Sequence, residues 1–192
     1  MNTLNTARVK PVVRLNPQPL IVVADVTFFS RTNGLAVFRS PLLKKNIWWQ
    51  FTPYERVDIY RQGKDCLERH GFKITAIVLD GKPGVRAVFT GIPAQMCHFH
   101  QKQIVHRYLT ARPKLLAGQE LKATVGILSK TDEKTFADQL NSWHNRWQEF
   151  LKERTVNSET GRWNYTHKRL RSAYRSLKTN LMPFTDCQLY SG

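Results

Sequence analysis

One apolar run that stops at an acidic residue constrains the fold more than any other feature of the chain. Residues Ile74 to Leu79 read ITAIVL, a pattern typical of a strand buried on both faces. Asp80 follows, and the next residues, Gly81 to Gly84, read GKPG, which predicts a tight loop. Because open α/β sheets bind ligands at strand tips, Asp80 is a candidate functional residue. Asp-Gly is also a common turn pair, so a role confined to the turn is the alternative.

A second acid-bearing strand is predicted upstream. Leu20 to Phe29 begins LIVVAD and carries Asp25 inside it. Asn33-Gly34 is a strong hairpin signal, and it leads into a returning strand over Leu35 to Ser40. The aromatic-rich run Ile47 to Phe51 predicts a third strand. The three strands are expected to form an antiparallel meander.

A helix is predicted to follow the meander. Thr52 is the expected N-cap, Pro53 the first helical residue, Glu55 the partner in a capping box, and Gly71 the terminator. The later elements are predicted as the strand before Asp80, a short helix over Val85 to Phe89, a strand over Ala94 to Phe99, and helices over Gln101 to Leu109, Ala117 to Leu128, from Thr131, and over Tyr165 to Leu177. The helix from Thr131 carries an apolar face typical of packing: Phe136, Leu140, Trp143, Trp147, Phe150 and Leu151.

This order of elements resembles the ribonuclease H-like fold of the α/β (α+β) class, with an antiparallel meander and then an all-helical insertion. In that topology the middle of the first strand and the tip of the fourth are neighbours, so Asp25 and Asp80 are expected to lie together. The predicted organisation is a leader or linker at 1–19, a partial catalytic core at 20–101, a helical insertion at 102–182 and a truncated tail at 183–192.

Charge indicates the partner. The 192 residues carry 30 Lys and Arg against 14 Asp and Glu, a net charge of +16, which favours a polyanion such as nucleic acid. A membrane surface is disfavoured, since there is no long apolar segment. The unpaired cysteines, Cys66, Cys97 and Cys187, suit a reducing cytoplasm with free thiols.

The basic residues concentrate late in the chain. They occur with no acid among them and with Trp163, Tyr165 and Tyr174 interleaved, which favours a phosphate-contact surface over an ordinary solvated helix face. The candidate nucleic-acid-binding residues are Arg162, Lys168, Arg169, Arg171, Arg175 and Lys178.

The paired acids predict metal chemistry. Two carboxylates side by side repel each other unless a cation lies between them, and hard oxygen ligands suit Mg²⁺ or Mn²⁺. Such ions activate an attacking oxygen and stabilise a leaving oxygen at a phosphodiester. Asp25 and Asp80 therefore predict a phosphoryl-transfer enzyme that acts on DNA or RNA.

The same residues resemble a known family. VVADVTFFS around Asp25, IVLDGKPG around Asp80 and QMCHFHQKQIVHRYLT with Cys97-x-x-His100 are similar to DDE transposases of bacterial insertion sequences, in the Mutator-like group. The resemblance implies Asp25 and Asp80 as metal-binding catalytic acids, and Cys97 and His100 as a pair beside the catalytic centre. It also implies transposon ends and target DNA as partners, and a homo-oligomer or pairing with an intact transposase.

The resemblance is incomplete. The third catalytic acid of such enzymes is a Glu beyond the insertion, and nothing here matches it, since Asn157-Ser158-Glu159 precedes the basic stretch rather than following it. A truncated, catalytically incomplete copy is therefore expected. The alternatives are a non-catalytic DNA-binding remnant of the same fold and a nuclease of the ribonuclease H or resolvase type. A zinc site made from Cys97, His98, His100 and His106 is disfavoured, because the paired cysteines of structural zinc sites are missing.

Overall fold

The structure of the protein is a computed structural model that describes residues 16–181, and the chain divides into two compact units, one ending at Ala94 and one beginning at Gln95. The elements up to the end of the sheet are β1 (Pro19–Ser30), β2 (Asn33–Ser40), β3 (Lys45–Thr52), α1 (Val57–Arg69), β4 (Lys73–Leu79), α2 (Val85–Val88) and β5 (Ala94–Met96). The elements that follow are α3 (His98–Leu109), α4 (Leu116–Gly126), α5 (Glu133–Lys152), β6 (Arg154–Val156), β7 (Trp163–Tyr165) and α6 (Lys168–Leu181).

Five strands form one mixed sheet in the order β3-β2-β1-β4-β5. The pairs β1–β2 and β2–β3 are antiparallel, which confirms the predicted meander, whereas β1 and β4 are parallel. β1 is therefore the central strand, with the meander on one side and the crossover through α1 on the other. The mixed α and β composition confirms the predicted class at this level.

The core of the first unit follows from strand alternation. Leu20, Val22 and Ala24 of β1 are buried, whereas the residues between them are only half-buried. Helix α1 packs on this core with a buried stripe made of Ile59, Tyr60, Gly63 and Leu67. Gly63 in that stripe faces the Phe38 ring, and a Cβ atom on Gly63 would lie 1.6 Å from it, so no larger residue fits there.

The predicted start of the first helix was wrong. β3 continues to Thr52, whose backbone pairs with Gly34 of β2, and α1 begins only at Val57 with Arg56 as N-cap. The Thr52 hydroxyl donates to the carbonyl of Tyr54 at 2.6 Å, and the Glu55 side chain is bound elsewhere, so there is no capping box. Sheet pairing prevailed over a local helix signal because Thr52 belongs to the ladder.

The predicted leader also extended too far. Pro19 is the first residue of β1, and the carbonyl of Gln18 accepts from the Lys73 backbone N–H at 3.4 Å. The rest of the predicted leader, residues 1–15, and the predicted tail at 183–192 lie outside the described residues.

The second unit has its own apolar core, made by α3, α4, α5 and α6. The predicted packing face of α5 is confirmed, with four of its six residues buried and Trp147 and Phe150 half-buried against them. The Trp143 indole N–H donates to the Ala117 carbonyl at 2.9 Å, which satisfies its one polar atom.

The prediction of an all-helical region after Gln101 was wrong. β6 and β7 form an antiparallel hairpin between α5 and α6, closed by a turn over residues 157–161. The Asn157 side-chain oxygen accepts from the backbone N–H groups of Glu159 and Thr160 at 2.9 Å each, and Gly161 adopts a φ of 65°. Helix α6 therefore begins at Lys168 rather than Tyr165, and Arg162 precedes β7.

The Cys97-x-x-His100 motif lies in a different element from the one predicted. β5 ends at Met96 and α3 begins at His98, so the motif opens a helix rather than ending a strand. The Cys97 carbonyl accepts from the Gln101 backbone N–H at 2.9 Å, which closes the first turn. Across residues 16–181, no helix combines the length and apolar composition needed to cross a membrane.

Candidate functional site

The register of β1 against β4, continued past the paired residues, would bring the two predicted acids together. Cα partners keep one offset over Ile21–Ala76, Val22–Ile77 and Val23–Val78. Continued by two residues, the same register brings Asp25 opposite Asp80, and neighbouring strands lie about 4.8 Å apart. Both acids are half-buried, so each carboxylate is partly withdrawn from water.

The loop after β4 fixes the second acid. One carboxylate oxygen of Asp80 accepts from the Lys82 backbone N–H at 3.0 Å, which is the turn role that the sequence left open. Gly81 and Gly84 have φ values of 88° and 82°, a region that favours glycine. The turn uses one oxygen of Asp80, so the carboxylate retains acceptor capacity for a ligand.

The first acid has more free capacity. Within residues 16–181, the Asp25 carboxylate makes no hydrogen bond or ion pair. Asp25 lines a narrow crevice with Tyr60 and five apolar neighbours. A half-buried carboxylate with no counter-ion is costly for a protein to hold, which favours a cation as its partner.

A second network lies beside the acids, and the sequence analysis missed it. The Tyr60 hydroxyl donates to one oxygen of Glu55 at 2.8 Å, and the Lys82 ammonium lies 3.4 Å from the other oxygen. Lys82 therefore joins this network to Asp80 through its backbone. The missed signal is that a buried tyrosine on a helix needs a partner for its hydroxyl, and Glu55, an acid five residues before it, supplies that partner.

The pKa of the Tyr60 hydroxyl responds to burial and to the nearby acids. Burial raises the pKa of the Tyr60 hydroxyl far above its ordinary value, with the hydrogen bond to Glu55 next in effect. The negative charges of Asp80 and Asp25 raise the same pKa further, so both carboxylates lie near enough to act on one hydroxyl. Tyr60 therefore stays protonated and acts as a donor at neutral pH.

A cleft of about 450 Å³ opens beside this network. Its walls include Arg31, Lys82 and Glu55 together with the aromatic rings of Phe28 and Tyr54, which are 40% and 60% exposed. Arginine and lysine bind phosphate oxygens, and exposed aromatic rings stack on bases. The cleft can therefore receive an anionic, base-bearing ligand next to the acid pair.

The donor set fits one hard divalent cation. Asp25 and Asp80 supply carboxylate oxygens, which Mg²⁺ and Mn²⁺ prefer, and these ions usually keep several waters. Among residues 16–181, no group of three or more His, Cys, Asp or Glu side chains could hold a metal ion. The described residues thus fit one cation with two protein ligands, and they do not complete a two-metal site.

Cys97 and His100 lie near the start of the second unit. Both are half-buried, and the Nδ1 atom of His100 is buried without a hydrogen-bond partner among the described residues. His98 lies between them in sequence, with a ring nitrogen 3.0 Å from the Gln95 amide nitrogen. Burial lowers the pKa of His98, and the charge of Lys102 lowers it further, so this ring is neutral at physiological pH.

The candidate basic residues divide into two groups. Arg171 is engaged within the protein, because it donates to the Leu151 carbonyl at 2.7 Å and its guanidinium lies 3.6 Å from the Tyr165 ring centroid. Arg169 donates to the Arg107 carbonyl at 2.6 Å. The remaining four residues are exposed, with no hydrogen bond or ion pair from their side chains in the described chain: Arg162, Lys168, Arg175 and Lys178.

No model of a known protein family matches the sequence, and no curated protein is significantly similar to it.

Proposed function

We propose that the first unit is a ribonuclease H-like domain of the transposase type, with an acid pair that binds metal for phosphoryl transfer on DNA but without the third acid that full activity needs. The observation that carries the proposal is the β1–β4 register, which, continued by two residues, would bring Asp25 opposite Asp80 within a sheet ordered β3-β2-β1-β4-β5. The resemblance in sequence around the same two acids supports it.

The residues of the chain have separable roles in this proposal. Asp25 and Asp80 would hold Mg²⁺ or Mn²⁺, and a cation bound there would neutralise phosphodiester charge and activate the attacking oxygen. Arg31 and Lys82 of the cleft would bind phosphate oxygens. Tyr60, kept protonated by its environment, would hold Glu55 in place and so keep the Lys82 side chain beside the cleft.

The decisive test is metal binding by the full chain. Mn²⁺ at ten times its dissociation constant should stabilise the parent protein by about 1.4 kcal/mol. The double variant Asp25→Asn with Asp80→Asn should lose this gain. A matched variant, Asp65→Asn with Asp138→Asn, removes the same charge from exposed helical positions and should keep it. Equal stabilisation of all three proteins would refute the proposed site.

Activity is a separate question. We expect the purified chain to cleave labelled DNA slowly or not at all, because a second metal ion has no carboxylate anchor among the described residues. Each 1.36 kcal/mol of lost transition-state stabilisation is about a tenfold loss in rate. Metal-dependent cleavage that is rapid in the parent and absent from Asp80→Asn would show that a third ligand exists, and Glu159 would be the first residue to test.

The second candidate function is a DNA-binding module of the same fold without catalysis. The net charge of +16 and the basic face of α6 favour it. It predicts DNA binding that falls steeply with salt and no effect of Mn²⁺ on stability. The metal titration therefore separates the two functions. A nuclease of the ribonuclease H or resolvase type would bind metal but cleave without joining strands.

A further inference from the structure

A basic groove lies between α3 and α6, entirely within the second unit. Its volume is about 780 Å³. Three arginines line it, Arg107 from α3 and Arg169 and Arg175 from α6. The other lining residues are polar or uncharged, and none of the described lining residues is acidic. The groove is therefore a concentration of positive charge with no internal counter-ion.

Hydrogen bonds from a buried glutamine fix two of the residues that line the groove. Gln101 of α3 is fully buried, its amide nitrogen donates to the Ser176 hydroxyl at 2.9 Å, and its amide oxygen accepts from Asn180 at 2.8 Å. Ser176 and Asn180 both line the groove. The Arg169 bond to the Arg107 carbonyl ties the two helices at another point. The walls are thus positioned before any ligand binds, which lowers the ordering cost of binding.

The free donors match phosphate. Within residues 16–181, the side chains of Arg107 and Arg175 make no hydrogen bond or ion pair, so both guanidinium groups are available. A planar guanidinium with paired N–H donors fits phosphate oxygens well. The hydroxyls of Ser172 and Thr179 add uncharged donors along the same groove.

An aromatic ring indicates which phosphate-bearing ligand fits. Tyr108 lines the groove and is 38% exposed, so a base can stack on it. Bases in a duplex are paired and stacked on one another, whereas those of a single strand are available. A charged groove with an aromatic platform is how proteins bind single strands.

We propose that the α3–α6 groove binds single-stranded nucleic acid, with backbone phosphates on Arg107, Arg169 and Arg175 and one base on Tyr108. The inference rests on the nucleic-acid part of the proposed function and is independent of the acid pair. It assigns the second unit a strand-holding role that needs no metal.

The test uses the full chain, a fluorescent oligothymidine and EDTA in the buffer. Arg107→Gln with Arg175→Gln should weaken binding by at least about tenfold. The slope of log affinity against log salt should fall by about 1.4, as expected for two lost phosphate contacts on a single strand. Arg169 is left intact because it also bonds to the backbone of α3.

The matched control is Lys168→Gln with Lys178→Gln. It removes the same charge from exposed positions on α6 that do not line the groove, and it should weaken binding far less. Equal losses of affinity in the two double variants would show that only the overall positive charge matters, and they would refute the proposed binding in the groove. Circular dichroism of each variant establishes that the helices are intact.

Two further arms identify the ligand. Tyr108→Ala should weaken oligothymidine binding by roughly fivefold or more, and Tyr108→Phe should not. A duplex of equal length should be less affected by the arginine variant. If inorganic phosphate displaces the strand as well as unlabelled strand does, the groove takes a single phosphate and the proposal fails. If Asp25 and Asp80 prove not to bind metal while the arginine result holds, the proposed function fails alone.

Discussion

The two units place their charged groups by opposite means. In the first unit, two acids follow the paired residues of a parallel β-ladder, so backbone register is expected to set their separation. In the second, the packing of α3 on α6 brings arginines from distant parts of the chain to one groove, and a buried glutamine fixes the distance. The acid pair is negatively charged and is expected to bind a cation, whereas the α3–α6 groove is positively charged and is expected to bind an anion.

Because of this difference, the two sites should respond differently to side-chain substitutions. A ladder has many backbone hydrogen bonds, so no single side chain sets the separation of Asp25 and Asp80. The groove depends on few side chains, because Gln101 alone bonds to both Ser176 and Asn180. The acid pair should therefore tolerate side-chain changes that the groove does not, unless they disrupt the core beneath it.

The largest expected effect is a core disruption in the first unit. Gly63→Ala would drive a methyl group into the Phe38 ring, since a Cβ atom there lies 1.6 Å from a ring carbon. We expect a loss of about 3 kcal/mol in the free energy of unfolding, at the upper end for overpacking. Denaturant unfolding followed by far-UV circular dichroism measures it.

Gly126→Ala is the matched control, because it also adds a methyl group to a helix but has no atom within 4 Å of the new Cβ. It should stabilise by up to about 1 kcal/mol. A Gly63→Ala variant as stable as the parent would refute the packing argument. Hydrogen exchange shows whether the loss stays within the first unit or spreads to both.

The next largest effect should fall on the buried glutamine. Gln101→Met keeps the length of the side chain but leaves Ser176 and Asn180 without their partner, at a cost of about 2 kcal/mol. Gln103→Met is the control, because Gln103 is exposed on the same helix. Gln101→Met should also weaken oligothymidine binding. Unchanged binding would mean that the groove does not depend on this network.

A smaller effect is expected from the lysine beside the acid pair. Lys82→Met removes a positive charge near Asp80 while keeping the backbone N–H that holds the carboxylate. If Asp25 and Asp80 bind Mn²⁺, its affinity should rise about fivefold, on the order of 1 kcal/mol. Lys73→Met, at the other end of β4, should change little. A fall in affinity would show that the Lys82 side chain is needed to shape the loop.

The smallest effect concerns pH and the second unit. Burial lowers the pKa of His144, and the charges of Lys178, Lys152 and Arg171 lower it further. Below about pH 6.5 the unfolded chain therefore binds a proton that the folded chain resists, and stability falls as pH falls. His144→Phe preserves the stack on Tyr174, whose ring centroid lies 4.4 Å away, and should make the fall in stability with falling pH shallower.

Thermal unfolding at pH 7 and pH 5 measures this difference. Some slope should remain in His144→Phe, because the pKa of His98 is also lowered and its contribution has the same sign. A variant with an unchanged slope would exclude His144 as a source of the pH dependence.

The strands could be predicted because each is an apolar run rich in β-branched or aromatic residues, and turn signals between them indicate how they connect. Apolar β-branched runs are rare outside strands, and the Asn33-Gly34 hairpin signal is strong, so the meander and the acid at the end of β4 followed from the sequence. The expectation that Asp25 and Asp80 are neighbours could come only from the topology, since nothing local joins them, and it stays a prediction.

Features decided by tertiary context could not be predicted. Thr52 has the local pattern of an N-cap, yet pairing with Gly34 holds it in β3. The β6–β7 hairpin was missed because its strands have only three residues each, although Asn157 and Gly161 are turn residues that signal it. Arg107 was missed as a groove residue because it depends on which helices meet, and α3 and α6 are far apart in sequence.

The packing of α3 with α6 also has a consequence for protein synthesis. The strands of the first unit up to β4 all precede Asp80, so they can pair while the ribosome is still making the second unit. Helix α3 can meet α4 soon after it is made, but the cluster that contains Val105 and Leu109 of its apolar face is completed by residues of α6, the last of these helices to be synthesised. At about 5–20 residues per second, that face waits several seconds for Leu170 and Leu177 to emerge. During this interval part of the apolar face of α3 lacks its final partner, and we expect the nascent chain to be most prone to aggregation there.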